Sequence, residues 1–404
     1  MNHLTSHLAT LDDQQSAMFE LVKDLCNINS GTFNLPGLKL VRDRLVKEFA
    51  VLGGQAEVHD SKPMKMVDEQ GAEVAQSLGQ IIHISKWPEA KTRILLCIHM
   101  DTVYDTEHPF QECRMLENGN LNGPGVADAK GGLVVMLNAL KALESSPLAG
   151  KIGWEVLINP DEEIGSPGSV DLINQVAPRC TVGLLFEPSL PDGTLVSWRK
   201  GSGNFTFVVR GQAAHAGREF EKGRNAIVAA ARLSDAIDKL NTDAEVTYNV
   251  GRIRGGSALN IVPDLAITRV NVRVKTVEQQ VDVEQKFANL VSEFNQLDGI
   301  SVESSGSFSS PPKPLSDDVA DLQERISRCG EALNIAVKWR GTGGACDGNK
   351  FAAAGLPNID TLGPCGGDIH SSNEYLIPES LVPRAKLAAL ILLSYASEAG
   401  QSNV

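Results

Sequence analysis

The sequence lacks three things, and each absence removes a class of function. It has no CxxC pair. Its seven cysteines, Cys26, Cys97, Cys113, Cys180, Cys329, Cys346 and Cys365, are scattered and odd in number. Neither a disulfide framework nor a zinc ribbon fits, and reduced thiols in a cytoplasmic setting are expected. It has no apolar run near the roughly 18 residues a membrane span needs, and its opening segment, MNHLTSHLATLDDQQSAMF, has no basic stretch ahead of an apolar one. Neither a membrane partner nor a signal peptide is therefore expected. It also lacks an excess of positive charge. The formal net charge of −13 repels phosphate backbones, so nucleic acid is not an expected partner.

What is present describes a soluble chain of more than one unit. At 404 residues it is too long for one ordinary core, so two domains are expected. Apolar residues recur at helical spacing around 13–29 and 36–52, and again in GGLVVMLNALKAL at 131–143. Between them stand the short apolar runs ILLCI (94–98), WEVLI (154–158) and VGLLF (182–186). Such alternation predicts an α/β fold with a mostly parallel sheet covered by helices on both faces. After about residue 200 the pattern changes. FTFVVRG (205–211) and ITRVNVRVK (267–275) alternate apolar with polar residues, and amphipathic helices are expected near 225–240 and 278–295. This order reads as a small α+β, ferredoxin-like domain, 200–309, inserted into a catalytic domain made of 1–199 and 310–404. The Ser/Pro-rich stretch 304–318 reads as the return linker.

Several candidate functional residues fall at strand ends, where open α/β sheets place ligands. His99 and Asp101 in IHMDTVY lie two apart, so in extended chain both point the same way. Asp101 would then hold the second ring nitrogen of His99 and orient it as a metal ligand; a surface polar pair is the alternative. GPGVADAKGG (123–132) lacks the Walker spacing of a phosphate loop and carries Asp128 at its centre, which suits a cation, although a helix-capping loop has the same composition. Asp161, Glu162 and Glu163 follow WEVLI, Glu187 follows VGLLF, and His370 lies in GGDIHSSNEY. Adjacent carboxylates can divide labour, one binding metal and the other acting as base. Together the set His99, Asp128, Glu163, Glu187 and His370 suits a pair of zinc ions.

In order, HMDTVY, GPGVADAKGG, DEEIGSPGS, FEP, AHAG and IHSSNEY resemble the motifs of the dinuclear-zinc peptidases and deacylases. That family includes glutamate carboxypeptidase, aminoacylase, acetylornithine deacetylase and succinyl-diaminopimelate desuccinylase. HMDTVY with GPGxADxKGG resembles bacterial glutamate carboxypeptidase in particular. The resemblance implies two zinc ions per subunit, replaceable by cobalt or manganese. Asp128 would bridge them, His99 and Glu187 would complete one site, and Glu163 and His370 the other. It further implies a cis peptide at Asp128–Ala129, with Glu162 the general base for water activated between the metals. The inserted domain would be a lid and homodimerisation domain whose His215 stabilises the oxyanion in the partner subunit. Substrate contacts would come from Asn260, Arg273 and the GTGGACD loop through Gly343 and Gly344. The implied reaction is hydrolysis of an amide bond next to a free carboxylate, in a dipeptide or N-acyl amino acid. The alternatives are an N-acyl amino acid deacylase on the same scaffold and a non-catalytic binding homologue. Residues 301–312 contain no arginine, where nearer relatives of this type carry one, and AHAG lacks the proline that often follows it in deacetylase branches.

Overall fold

The computed structural model describes residues 1–401 of the chain. The first two hundred residues lay down β1 (Gln55–Asp60), β2 (Gln80–Lys86), β3 (Arg93–His99), β4 (Gly153–Asn159) and β5 (Val182–Leu185), with helices α1 (Gln15–Cys26), α2 (Leu35–Phe49), α3 (Gly132–Glu144) and α4 (Val170–Val176) between them. A second group follows: β6 (Gly201–Arg210), α5 (Ala226–Asp238), β7 (Thr247–Gly255), β8 (Leu265–Val274), α6 (Val277–Phe294) and β9 (Ser301–Ser310). The chain then returns through α7 (Asp317–Ala332), α8 (Asp347–Ala353), β10 (Asn358–Ile359) and α9 (Leu381–Gln401).

The central sheet has the order β1-β2-β4-β3-β5-β10. β4, β3, β5 and β10 run parallel, with Ile94 opposite Trp154 and Val182. β1 and β2 form an antiparallel edge. The apolar run of β3 is continuous because both of its faces are buried. Ile94, Leu96 and Ile98 join the large core under α1, α3 and α9, while Leu95 and Cys97 join the smaller core under α4 and α8. This alternation is the period of a strand with helices on both sides.

Gly201–Ser310 forms a separate antiparallel sheet, β7-β8-β6-β9. Its core sets Phe205, Phe207 and Val209 of β6 against Leu233 of α5 and Phe287 of α6. Phe287 meets both phenylalanines edge-on, with ring centroids 4.9 and 5.2 Å apart, a preferred aromatic geometry.

One expected feature is corrected. The Ser/Pro-rich stretch 304–318 is not a linker throughout: residues 304–310 belong to β9, which pairs antiparallel with β6. Its polar composition reflects an edge strand with one wet face, where Val302, Phe308 and Ser310 are buried and most other residues are exposed. Only residues 311–316 connect it to α7.

The return to the central sheet is fixed by a buried charge cluster. Asp360, just past β10, accepts hydrogen bonds from Arg199 Nε (2.9 Å), Arg199 Nη2 (2.8 Å) and Lys313 Nζ (2.6 Å). All three residues are buried. Burial alone would raise the Asp360 pKa, but Arg199 and Lys313 outweigh it and hold the carboxyl well below its ordinary value. The Asp360 carbonyl also accepts the Glu187 N–H at 3.0 Å, so this cluster sets the height of a candidate ligand. Asp360→Ala leaves two buried cations without their counter-charge and should cost about 3–5 kcal/mol, measured by chemical denaturation. Because the folded pKa is depressed, the wild-type contribution is complete above about pH 4 and is lost as pH falls through the folded value.

Candidate metal centre

The carboxyl ends of the parallel strands converge on one cleft. His99 is the last residue of β3, Glu162 and Glu163 begin a short turn after β4, and Glu187 follows β5 by two residues. Asp128 lies in the irregular turn Val126–Gly131 that leads into α3, and its peptide bond to Ala129 is cis. His370 enters from the loop before Tyr375–Leu376, in a left-handed backbone conformation with φ 61°.

Asp128 stands between the two histidines and presents one oxygen to each. Its Oδ1 is 3.0 Å from His99 Nε2 and its Oδ2 is 3.2 Å from His370 Nε2. Glu187 Oε2 is 3.6 Å from His99 Nε2, and Glu163 Oε2 is 3.1 Å from His370 Nε2. Two triads result, His99–Asp128–Glu187 and Asp128–Glu163–His370, each with donor atoms within 4.8 Å of one another. All five expected ligands are thus brought together, with Asp128 shared.

Asp101 plays a supporting part. The Nδ1 of His99 faces both the Asp101 carbonyl oxygen (3.1 Å) and its Oδ1 (3.3 Å). The same carboxylate accepts the N–H of Glu162 at 3.1 Å, the N–H of Glu163 at 3.3 Å and the Thr32 hydroxyl at 2.7 Å. It therefore orients the histidine while tying down the turn that carries the next two carboxylates. Asp161, the third acid of that run, faces away: it accepts the Gly168 N–H at 2.7 Å and the Ser169 hydroxyl, and so shapes the turn.

The electrostatics are those of an acidic cluster short of cations. Burial, with repulsion from Asp128, pushes Glu163 up to about 7. Burial raises Glu162 well above its ordinary value despite the attraction of nearby His99, and Glu187 rises for the same chief reason. Burial acts to lower the His99 pKa, but Glu187, Asp101 and Asp128 overcome it and raise the value well above normal. His370, hydrogen-bonded to Asp128 and Glu163, is pushed up to about 11. Two imidazoles face five carboxylates, and divalent cations would relieve the excess that burial makes costly. The donor set, two histidines with three carboxylates sharing one bridge, fits a pair of zinc-like ions.

Glu374 was not singled out in the sequence, although it lies in the same IHSSNEY motif as His370. Its side chain is buried. Oε1 accepts the N–H groups of Ala127 and Asp128, both at 3.0 Å; Oε2 accepts the Gly125 N–H at 3.2 Å and the Tyr104 hydroxyl at 2.8 Å. Burial and repulsion from Asp128 push it up to about 7. Nothing in its spacing announces that its carboxylate grips a turn some 250 residues upstream, at a separation of 246 for the Asp128 contact.

A cavity of about 530 Å³ opens on the cluster, walled by Asp128, Glu162, Glu187 and His370 on one side and by Arg199, Arg273 and Gly344 on another. Gly343 stands beside this wall, its carbonyl 3.5 Å from Arg273 Nη1. Arg273 is half-buried and forms no ion pair among the described residues; burial alone lowers its pKa. His215 and Asn260 are not part of the cavity wall. They lie together where Ala214–His215 pairs with Ile261–Val262, and the Asn260 carbonyl accepts the Ala216 N–H at 2.9 Å. His215 is exposed there.

The chain is similar to several known proteins. The chain is 28% identical over 393 residues to carboxypeptidase G2 of Pseudomonas sp. (strain RS-16), covering 94% of this chain and 89% of the relative. It is 27% identical over 280 residues to succinyl-diaminopimelate desuccinylase of Nitrosospira multiformis, covering 64% and 70% respectively. Human carnosine dipeptidase 1 has the same fold, with a TM-score of 0.72 at 15% identity over 98% of this chain and all of that one (100%). An M20 family metallo-carboxypeptidase of Sulfolobus solfataricus superposes with a TM-score of 0.71 at 16% identity, covering 94% of this chain and 99% of that one. The model of peptidase family M20/M25/M40 matches residues 95–394, from the strand that ends in His99 to the helix after His370, and the chain is a hydrolytic enzyme belonging to that family.

Proposed function

We propose that the chain is a glutamate carboxypeptidase-like hydrolase, cutting an amide bond next to a free carboxylate at a dinuclear metal centre. The observation that carries this reading is the division of the Asp128 carboxylate between His99 and His370. Bound in the two triads, divalent ions would supply Lewis acidity and a water acidified toward neutral pH. Zinc suits the donors, and cobalt or manganese would be accepted by the same set.

The chain's own residues supply the rest. Glu162 lines the cavity and belongs to neither triad. It is free to take a proton from the attacking water and return it to the leaving amine. Arg273 faces the same cavity with no carboxylate partner among the described residues, so a substrate carboxylate would complete it. Gly344, without a side chain, leaves room for that carboxylate beside the backbone.

His215 requires a different route. In this reading 200–309 is an inserted lid and dimerisation domain on a catalytic domain of 1–199 and 310–404, and His215 serves the active site of a partner subunit together with Asn260. Exposed apolar residues beside it, Leu259 and Ile261 with Ile227 and Val228 of α5, favour a homodimer through this face. The substrate is a small dipeptide or N-acyl amino acid. A deacylase would use the same triads and remains the second reading, favoured by the desuccinylase similarity. All seven cysteines are unpaired, which accords with a cytoplasmic location. No helix among the described residues is long and apolar enough to cross a membrane.

Glu162→Gln should retain metal yet lose turnover by about 10²–10⁴-fold; full activity in that variant would overturn the assignment. His215→Ala should lower kcat by roughly 10²–10³-fold if it stabilises an oxyanion, whereas a change confined to KM would remove that role. Glu374→Gln should weaken metal binding by about 10–100-fold, read by calorimetric titration of metal-stripped protein, with an unchanged affinity counting against its positioning role. A panel of dipeptides and N-acyl amino acids assayed with zinc, cobalt and manganese separates the two substrate classes.

A further inference from the structure

We propose that the antiparallel edge of the central sheet carries a further metal site, formed by Glu57, His59 and His83, for a borderline divalent cation of the Zn²⁺, Cu²⁺ or Ni²⁺ kind. The strand register places these residues together. Glu57 of β1 pairs directly with His83 of β2. His59 is two residues beyond Glu57, so it projects from the same face. One donor atom from each lies within 4.8 Å of the others, and the two imidazole rings are 5.9 Å apart between centroids.

Two further observations point to a ligand. The Nε2 of His59 is shielded from solvent and makes no hydrogen bond among the described residues; it stands 3.4 Å from Glu57 Oε2 without bonding to it. A buried ring nitrogen left without a partner is uncommon, because its desolvation goes uncompensated. The second observation is the orientation of His83. Its Nε2 is 2.8 Å from Glu155 Oε2 on the neighbouring strand β4, and a ligand bond from the ring would then fall to Nδ1. A carboxylate behind a histidine is the usual outer support of a metal ligand. Glu155 is itself flanked by Arg93 at 3.6 Å and Arg179 at 3.4 Å, so its charge is engaged there and Glu57 remains the anionic donor of the site.

Two imidazoles with one carboxylate select a borderline transition metal over calcium or magnesium, which require more oxygen donors. Glu57 is exposed, His59 partly so and His83 buried, so the open coordination position faces solvent. The ion would clamp the outermost strand β1 to β2 across their existing pairing. This site shares no residue with the dinuclear centre and stands whatever reaction that centre performs.

The test is metal content of the full chain. Wild type and His59→Ala are equilibrated with micromolar Zn²⁺, freed of unbound ion and analysed for metal per chain, and the experiment is repeated with Ni²⁺. Wild type should hold one equivalent more than His59→Ala, with micromolar or tighter affinity by calorimetry. Addition of the ion should slow amide hydrogen exchange over residues 55–60 in wild type and leave it unchanged in the variant. Glu57→Gln, which changes an exposed side chain, gives the same subtraction should His59→Ala fail to fold. Equal metal content in wild type and both variants, or binding only at millimolar ion, overturns the proposal and leaves a simple Glu57–His59 ion pair.

Discussion

Everything at the candidate centre depends on the direction in which one carboxylate points. Asp128 must offer one oxygen to His99 and the other to His370, and the two histidines come from parts of the chain 271 residues apart, as 370 less 99 gives. A side chain in a flexible loop could not hold that direction. Three backbone N–H groups of the loop, those of Gly125, Ala127 and Asp128, are satisfied by the carboxylate of Glu374, and α3 begins directly behind it. The fold supplies rigid supports on each remaining side: the end of β3 for His99, Asp101 for the Glu162–Glu163 turn, and the Asp360 cluster for Glu187. Burial, with repulsion between neighbours, raises Glu162, Glu163 and Glu187, and the crowded acids make the cleft a strong attractor for cations.

Much of this was legible in the sequence, for a physical reason. Parallel strands buried on both faces read as uninterrupted apolar runs, so the polar residue that ends each run stands out. His99, Glu163 and Glu187 are of that kind, and all three meet Asp128 or a histidine across the cleft. The ferredoxin-like order of the second group was equally visible, because its strands have one wet face and alternate accordingly. β9 misled for the complementary reason. Its serines look like linker, and only pairing with β6 makes them a strand. Glu374, Thr32 and Asp360 were silent because each acts on a distant backbone or on buried charges, and no local period records that kind of contact.

The two histidines assigned catalytic or ligand roles outside the strand ends show how differently such residues are placed. His370 is pinned by two carboxylates in a left-handed turn. His215 sits exposed on a two-stranded ribbon among apolar neighbours and touches none of the triads. The first belongs to a site complete within one chain. The second stands apart from the cleft, beside the exposed apolar residues Leu259 and Ile261.

His370 and Glu374 lie four residues apart, and the one belongs to a candidate metal triad while the other grips the loop that carries Asp128. They are the last members of the centre to leave the ribosome. The earlier candidate ligands, His99 to Glu187, are made before them, and the turn that aims Asp128 has its grip only once Glu374 is present. Since chains of this size gain structure progressively during synthesis, the nascent protein carries the acids of a metal site through most of its production without the parts that organise them. The grip on the turn that aims Asp128 is thus completed by a residue made after every other part of the candidate centre.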